Sequence, residues 1–138
     1  MSSTITEEVQ DSYNSQYNNT NIHQWRKIGA KKKVQNIIKV TKGLSFKKVL
    51  EVGSGDGSIL QELDQQNFAE ELYSVEISKS GVEAIKAKNI SSLKEVKLFD
   101  GYKVPFEDQS FDLVILTHVL EHVEFERLLL RELKRLAK

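Results

Sequence analysis

The sequence predicts an α/β domain: an open, mainly parallel sheet of about four strands in the order 3-2-1-4, layered between helices. Three observations carry the prediction. Apolar, β-branched runs alternate with stretches of helical periodicity from Phe46 onward. The run Val49-Leu50-Glu51-Val52 breaks directly into Gly53-Ser54-Gly55-Asp56-Gly57 and then into a helical pattern. Acids close the first two strands, Glu51 and then Glu76.

Residues 1–22 are rich in Ser, Thr, Asn and Gln with scattered aromatics and no sustained period, which predicts a flexible arm ahead of a domain over 23–138. Between Trp25 and Lys42 the positions Ile28, Val34, Ile37, Ile38 and Thr41 follow helical spacing, and Gly43 ends the helix. Phe46 to Val52 reads as the first strand. The helix after it, Ser58 to Gln66, sets Ile59, Leu60 and Leu63 on one face. Leu72 to Ile77 is the second strand, followed by a helix from Lys79 to Lys88 that Asn89 stops. Val96 to Phe99 is a short third strand, and Gly101 to Ser110, with the single proline at Pro105, connects it onward. Phe111 to Leu116 is a fourth strand apolar enough to be buried on both faces. A last helix, Glu124 to Lys138, carries Phe125, Leu128, Leu129, Leu133 and Leu136 on one side.

In the order 3-2-1-4 the winding reverses between strands one and four, and open sheets of this kind bind ligands beside that reversal, at the carboxyl ends of the strands. Gly53 to Gly57, Glu76, Asp100, and Thr117 with His118 all fall on that rim. A strand that opens into glycines and then a helix offers bare backbone and unpaired N–H groups to a ligand.

Composition bounds the chemistry. At 138 residues the chain is one domain, and 20 cationic against 20 acidic side chains give no overall basic field of the kind that drives nucleic-acid or membrane-surface binding. The absence of cysteine removes disulfides, thiolate zinc sites, cysteine nucleophiles and the iron–sulfur cluster of radical chemistry. No signal-peptide pattern opens the chain and no apolar run approaches a membrane span, so a cytoplasmic location is expected.

Spacing narrows the ligand. The dinucleotide fingerprint Gly-x-Gly-x-x-Gly/Ala would need its last small residue at Ser58, and Gly57 comes one position early. No Gly-Lys-Ser/Thr follows to make a P-loop. What remains, Glu51-x-Gly53-x-Gly55-x-Gly57, resembles the first motif of the class I S-adenosylmethionine (SAM)-dependent methyltransferases. The string Val104-Pro105-Phe106-Glu107-Asp108-Gln109-Ser110-Phe111-Asp112-Leu113-Val114, continued by Thr117-His118-Val119-Leu120-Glu121-His122-Val123, is similar to the corresponding segment of the small-molecule branch of that family, type 11-like. The resemblance covers residues 45–137.

The resemblance implies a Rossmann-like αβα fold, SAM as methyl donor with S-adenosylhomocysteine as product, and a set of site residues. The backbone of Gly53, Ser54, Gly55 and Gly57 would meet the methionine carboxylate, with Glu51 near the ammonium or orienting the turn. Glu76 would accept from the ribose hydroxyls, as an acid in that place also does in nicotinamide proteins. Ile77 would pack on adenine or simply fill the core. Asp100, before Gly101, would accept from the adenine amino group or simply make a tight turn. Thr117 and His118 would lie near the methionine portion. No catalytic residue is assigned; His118, His122, Tyr13 and Tyr17 are the candidate bases, and Tyr13, Tyr17 and Trp25 belong either to a lid or to the arm. No metal is expected, because His118-Val-Leu-Glu121-His122 misplaces the acid of a His-Glu-x-x-His site.

The acceptor expected is a small molecule, lipid or sugar, since the Asp/Asn-Pro-Pro-Tyr/Phe motif of amino-directed nucleic-acid methylation is missing after strand four. Typical members continue with a fifth strand and an antiparallel pair, so the expectation is either an N-terminal portion of a longer protein or a chain whose strand-four edge a dimer or partner covers. A non-catalytic SAM-binding or partner-pairing module is the alternative, and a nicotinamide oxidoreductase comes third.

Overall fold

The structure, a computed structural model, describes Asp11 and residues 20–138. The expected arm therefore falls outside it but for Asp11 and residues 20–22, and Tyr13 and Tyr17 fall outside it altogether. In chain order the elements are α1 (Thr20–Val40), β1 (Phe46–Val52), α2 (Ser58–Gln65), β2 (Ala69–Glu76), α3 (Lys79–Ala87), β3 (Leu93–Leu98), β4 (Leu113–Leu116), a 3-10 turn (Leu120–His122) and α4 (Glu126–Leu136). The four strands pair in the expected order β3-β2-β1-β4, all in parallel.

Alternation along β1 divides the core into two layers. Val49 joins Val34, Leu60, Leu63, Leu72 and Ile85 beneath α1, α2 and α3. Leu50 and Val52 join Val75, Phe99, Phe111, Leu129 and Leu136 beneath α4 and the loop before β4. Glu51 shares the Val49 side, so this acid points into the layer roofed by α1.

Helix α1 corrects the sequence reading. Ala30 and Val34 are buried and Ile37 and Thr41 half-buried, a stripe spaced four, three and four, whereas Ile28 and Ile38 are exposed. At about 100° per residue Ile28 lies nearly opposite Ala30. The helix thus carries two apolar faces, and the one with the small Ala30 seats on α2. On α4, Leu129 and Leu136 face the core, and Leu128, expected with them, is exposed.

Strand β4 is shorter than expected and half-buried except at Ile115, because it stands at the sheet edge. Phe111 lies outside it, buried, and forms an isolated parallel bridge with Ala137. Its N–H donates to Leu136 O at 3.1 Å, and Lys138 N–H donates to Phe111 O at 3.0 Å.

The segment that carried much of the resemblance proves to hold the fold together. Rings of Tyr73, Phe106 and Phe111 meet edge to face at 5.2–5.8 Å. Arg135 of α4 donates to the carbonyls of Phe106 (2.8 Å) and Val104 (2.9 Å), pinning the loop to the helix. Asp112 Oδ2 accepts from the N–H groups of Lys47 and Lys48, both at 2.9 Å, and so ties the start of β4 to β1.

Phe111 is 1 % exposed at the centre of this cluster. Phe111→Ala is expected to lower stability by about 3–5 kcal/mol, and Phe111→Leu by less than about 2 kcal/mol, measured by urea denaturation.

Candidate functional site

The turn from β1 to α2 is built at the switch point of the sheet, between β1 and its neighbours β2 and β4. Gly53 adopts φ 75°, and a Cβ there would stand 2.7 Å from Val119 Cγ2. The loop after β4 therefore presses directly on the turn, and only glycine combines that conformation with that approach.

The turn amides are already engaged. Gly53 N–H donates to Val75 O (2.9 Å), Gly57 N–H to Ser54 O (3.0 Å), Gly55 N–H to Glu76 Oε1 (3.1 Å) and Ser58 N–H to Asp56 Oδ1 (3.1 Å). The expectation that these groups stand unpaired for an anion is corrected at these positions. A protein that buries backbone N–H groups must satisfy them, and here the neighbouring strand and two acids do so.

Glu76 is the bridge between turns. Oε1 holds the Gly55 amide, and Oε2 accepts from Ser78 N–H at 2.8 Å, at the N-cap of α3. Gly81 in the first turn of α3 permits this: a Cβ there would lie 2.8 Å from Gly55 O and 2.9 Å from Glu76 Cγ. Burial pushes the Glu76 carboxyl up to about 7, against the amide hydrogen bonds and the positive charge of Arg26 on α1. Beneath the turn, Ser74 Oγ donates to Ser54 Oγ at 2.6 Å, and Ser54 Oγ donates to Glu51 O at 3.3 Å.

Glu51 is 1 % exposed, and neither carboxylate oxygen has a hydrogen-bond partner. Burial pushes it up to about 8, reinforced by the charges of Glu76 and Asp56, while the neighbouring Ser54 hydroxyl and, more weakly, Lys33 of α1 pull the other way. Asp56, also buried, accepts from Ser58 Oγ at 2.7 Å. Three buried carboxyl groups thus surround one glycine turn, with cations of α1 set toward two of them. Burial holds protons on Glu51 and Glu76, and a cation placed beside them would favour their ionised forms, so the site favours a cationic ligand over an anionic one.

The remaining sequence-named residues lie along the same rim. Phe99 N–H donates to Glu76 O at 3.1 Å, which sets Asp100 and Gly101 just beyond the end of β3. Asp100 Oδ1 accepts from Tyr102 N–H (2.9 Å) and Lys103 N–H (2.8 Å), so it makes the turn that the Asp-Gly pair suggested. Ile77 is half-buried against the α4-side core. Thr117 is half-buried after β4, and His118 is exposed at φ 53°. His118 and His122 do not share a helical face. They flank Glu121, whose Oε1 lies 3.3 Å from His118 Nδ1 and 3.9 Å from His122 Nε2. Among the described residues no group of three or more His, Asp or Glu is placed to hold a metal.

Asp56, Ser74, Gly81, Val119, Arg26 and Lys33 were not singled out in the sequence as parts of the site. Gly81 had a signal, a glycine inside a helical pattern, and Asp56 stands within the glycine turn itself; the others reach the site through tertiary approach.

The order β3-β2-β1-β4, a glycine turn at the switch point and acids closing the strands define a Rossmann-like ligand-binding domain of the class I methyltransferase type. Residues 50–138 match the family described as methyltransferase domain, and the chain belongs to that family, whose methyl donor is SAM. YrhH of Bacillus subtilis, a provisionally named methyltransferase, is 30 % identical over 90 residues, which are 64 % of this chain and 50 % of YrhH. Among solved structures, a provisionally named SAM-dependent methyltransferase from Methanococcus maripaludis aligns with a TM-score of 0.77 at 19 % identity, covering 100 % of this chain and 63 % of that one. A SAM-dependent methyltransferase from Aquifex aeolicus aligns at 0.65 and 23 % identity, covering 75 % and 57 %. These structural likenesses establish the fold. The chain spans about half the length of the curated relative it matches.

Three outcomes follow from the geometry. A raised carboxyl keeps its proton in the folded chain after the unfolded chain has lost it, so its contribution is fully present below the ordinary carboxylate range and is lost as pH climbs toward about 8. The thermal midpoint of the unliganded protein is expected to fall across that window, and Glu51→Gln to flatten the fall, read by calorimetric scans at several pH values. Gly53→Ala, which adds both strain and the Val119 contact, is expected to cost more than about 1 kcal/mol. Gly29→Ala in α1, where a Cβ meets nothing within 4 Å, should gain about 0.5–1 kcal/mol in the same urea titration.

Proposed function

We propose that this chain binds SAM at the Gly53–Gly57 turn and forms the donor-holding part of a methyltransferase acting on a small-molecule, lipid or sugar acceptor. The observation that carries the reading is the buried carboxyl group of Glu51, without a hydrogen-bond partner, set beside Glu76 and Asp56 at the switch point. SAM, with a sulfonium and an ammonium against one carboxylate, is a net cation and fits a site short of positive charge. Bound there, it supplies an electrophilic methyl group. The residues of the chain align and shelter it.

In this reading Glu51 and Asp56 face the amino-acid head, and Lys33 of α1, which acts on Glu51, is a cation on that side of the turn. Glu76 retains lone pairs beyond the two amide hydrogen bonds it accepts, and these take the ribose hydroxyls. Ile77 and the Asp100-Gly101 turn flank the adenine, and Thr117 with His118 border the methionine end. His118 and His122 are exposed beside Glu121, and no base is assigned to either. A nicotinamide cofactor is disfavoured by the early third glycine of the turn and by its diphosphate, which the acid cluster repels.

Isothermal titration calorimetry with SAM, S-adenosylhomocysteine and NAD tests the reading. Saturable binding of both adenosyl ligands is expected, with no NAD binding, and Glu76→Ala should weaken SAM at least about tenfold by removing the acceptor and loosening Gly55. Absence of saturable SAM and S-adenosylhomocysteine binding by the folded chain would refute it.

A further inference from the structure

We propose that the outward face of α1 is a docking surface for an anionic phospholipid bilayer. The chain's zero net charge conceals a segregation: between Thr20 and Leu50 stand nine cationic side chains, eight of them lysine, and no Asp or Glu. On α1 they accompany exposed apolar groups. Trp25 is 75 % exposed and Ile28 61 %. Together with the exposed Lys32 and Lys39 these form one stripe, spaced three, four and seven residues, on the side opposite Ala30 and Val34. Val40 and Leu44, 82 % and 67 % exposed, extend the apolar surface past the end of the helix.

A helix with one face seated on α2 and another of lysines interleaved with tryptophan and isoleucine matches what lies in a membrane interface. The apolar side chains enter the headgroup boundary, and the ammonium groups meet lipid phosphates. A nucleic acid would satisfy the lysines and stack on Trp25 alone, for Ile28, Val40 and Leu44 offer its bases no ring, and the surface is a convex helix rather than a groove. Among the described residues no helix is long and apolar enough to cross a membrane, and the contact proposed is peripheral. The Trp25 end of α1 lies at the site rim, where the neighbouring Arg26 acts on Glu76. The proposal stands apart from the cofactor reading, since vesicle binding and SAM titration are separate measurements.

Trp25 is the only tryptophan in the chain, so its emission reports the contact directly. Vesicles of phosphatidylcholine alone and of phosphatidylcholine with about one third phosphatidylglycerol are titrated into the protein, with flotation in parallel. Expected are a blue shift and co-flotation with the anionic vesicles only, diminishing as salt rises, and a loss of at least about tenfold in partitioning for Lys32→Glu/Lys39→Glu at unchanged circular dichroism. Should that double variant not fold, Ile28→Ser replaces it, with a several-fold loss expected. The proposal is overturned by an unshifted Trp25 emission with anionic vesicles, by equal partitioning into both vesicle types, or by binding of an RNA homopolymer while the vesicles stay unbound.

Discussion

Glu76 bridges the β1–α2 turn and the start of α3, and the geometry of the candidate site depends on it. One carboxylate oxygen holds the Gly55 amide of the β1–α2 turn and the other the Ser78 amide that opens α3. Because the group is 2 % exposed, the low local dielectric strengthens those bonds and makes the loss of either partner costly. Gly81 belongs to the same arrangement, since any side chain there would displace both Gly55 O and Glu76. Turn, acid and helix start are one unit.

The second constraint lies on the far side of the sheet. The loop between β3 and β4 has no helix of its own, yet it covers the core with Tyr102, Val104 and Phe111 and is held by Arg135 and Glu132 from α4. Its rigidity fixes where β4 ends, hence where Thr117 and Val119 arrive. Val119 in turn sets the limit on what Gly53 can be. The two halves of the rim therefore communicate through a packing contact rather than through a hydrogen bond.

Much of this was legible in the sequence. Period-2 and helical patterns alternate cleanly from Phe46 on, so the four strands, their order and the place of the glycine turn were readable, as were Gly43 and Asn89, both at positive φ where the preceding helices end. The inward face of α1 was not readable, because Ile28, Ile38, Ala30 and Val34 offer two competing stripes and only contact with α2 selects one. Nor was the engagement of the turn amides, which depends on Glu76 folding back across 21 residues to Gly55. A whole-chain charge balance averages away the basic segment from Thr20 to Leu50, which shows only when charge is read segment by segment. The roles of Glu51, Glu76 and Asp100 toward a cofactor remain where the sequence placed them, as proposals, although the fold has set all three on one rim.

That the amides of Gly53, Gly55 and Gly57 are satisfied from within has a thermodynamic consequence. A loop whose donors wait for a partner must be immobilised by whatever binds it, and the ordering entropy is charged against affinity. This loop arrives ordered, its torsions settled during folding by strand carbonyls and two acids. Recognition then rests largely on side-chain chemistry, with the buried carboxyl of Glu51, which keeps its proton in the unliganded chain, as the one group whose condition a newcomer must change.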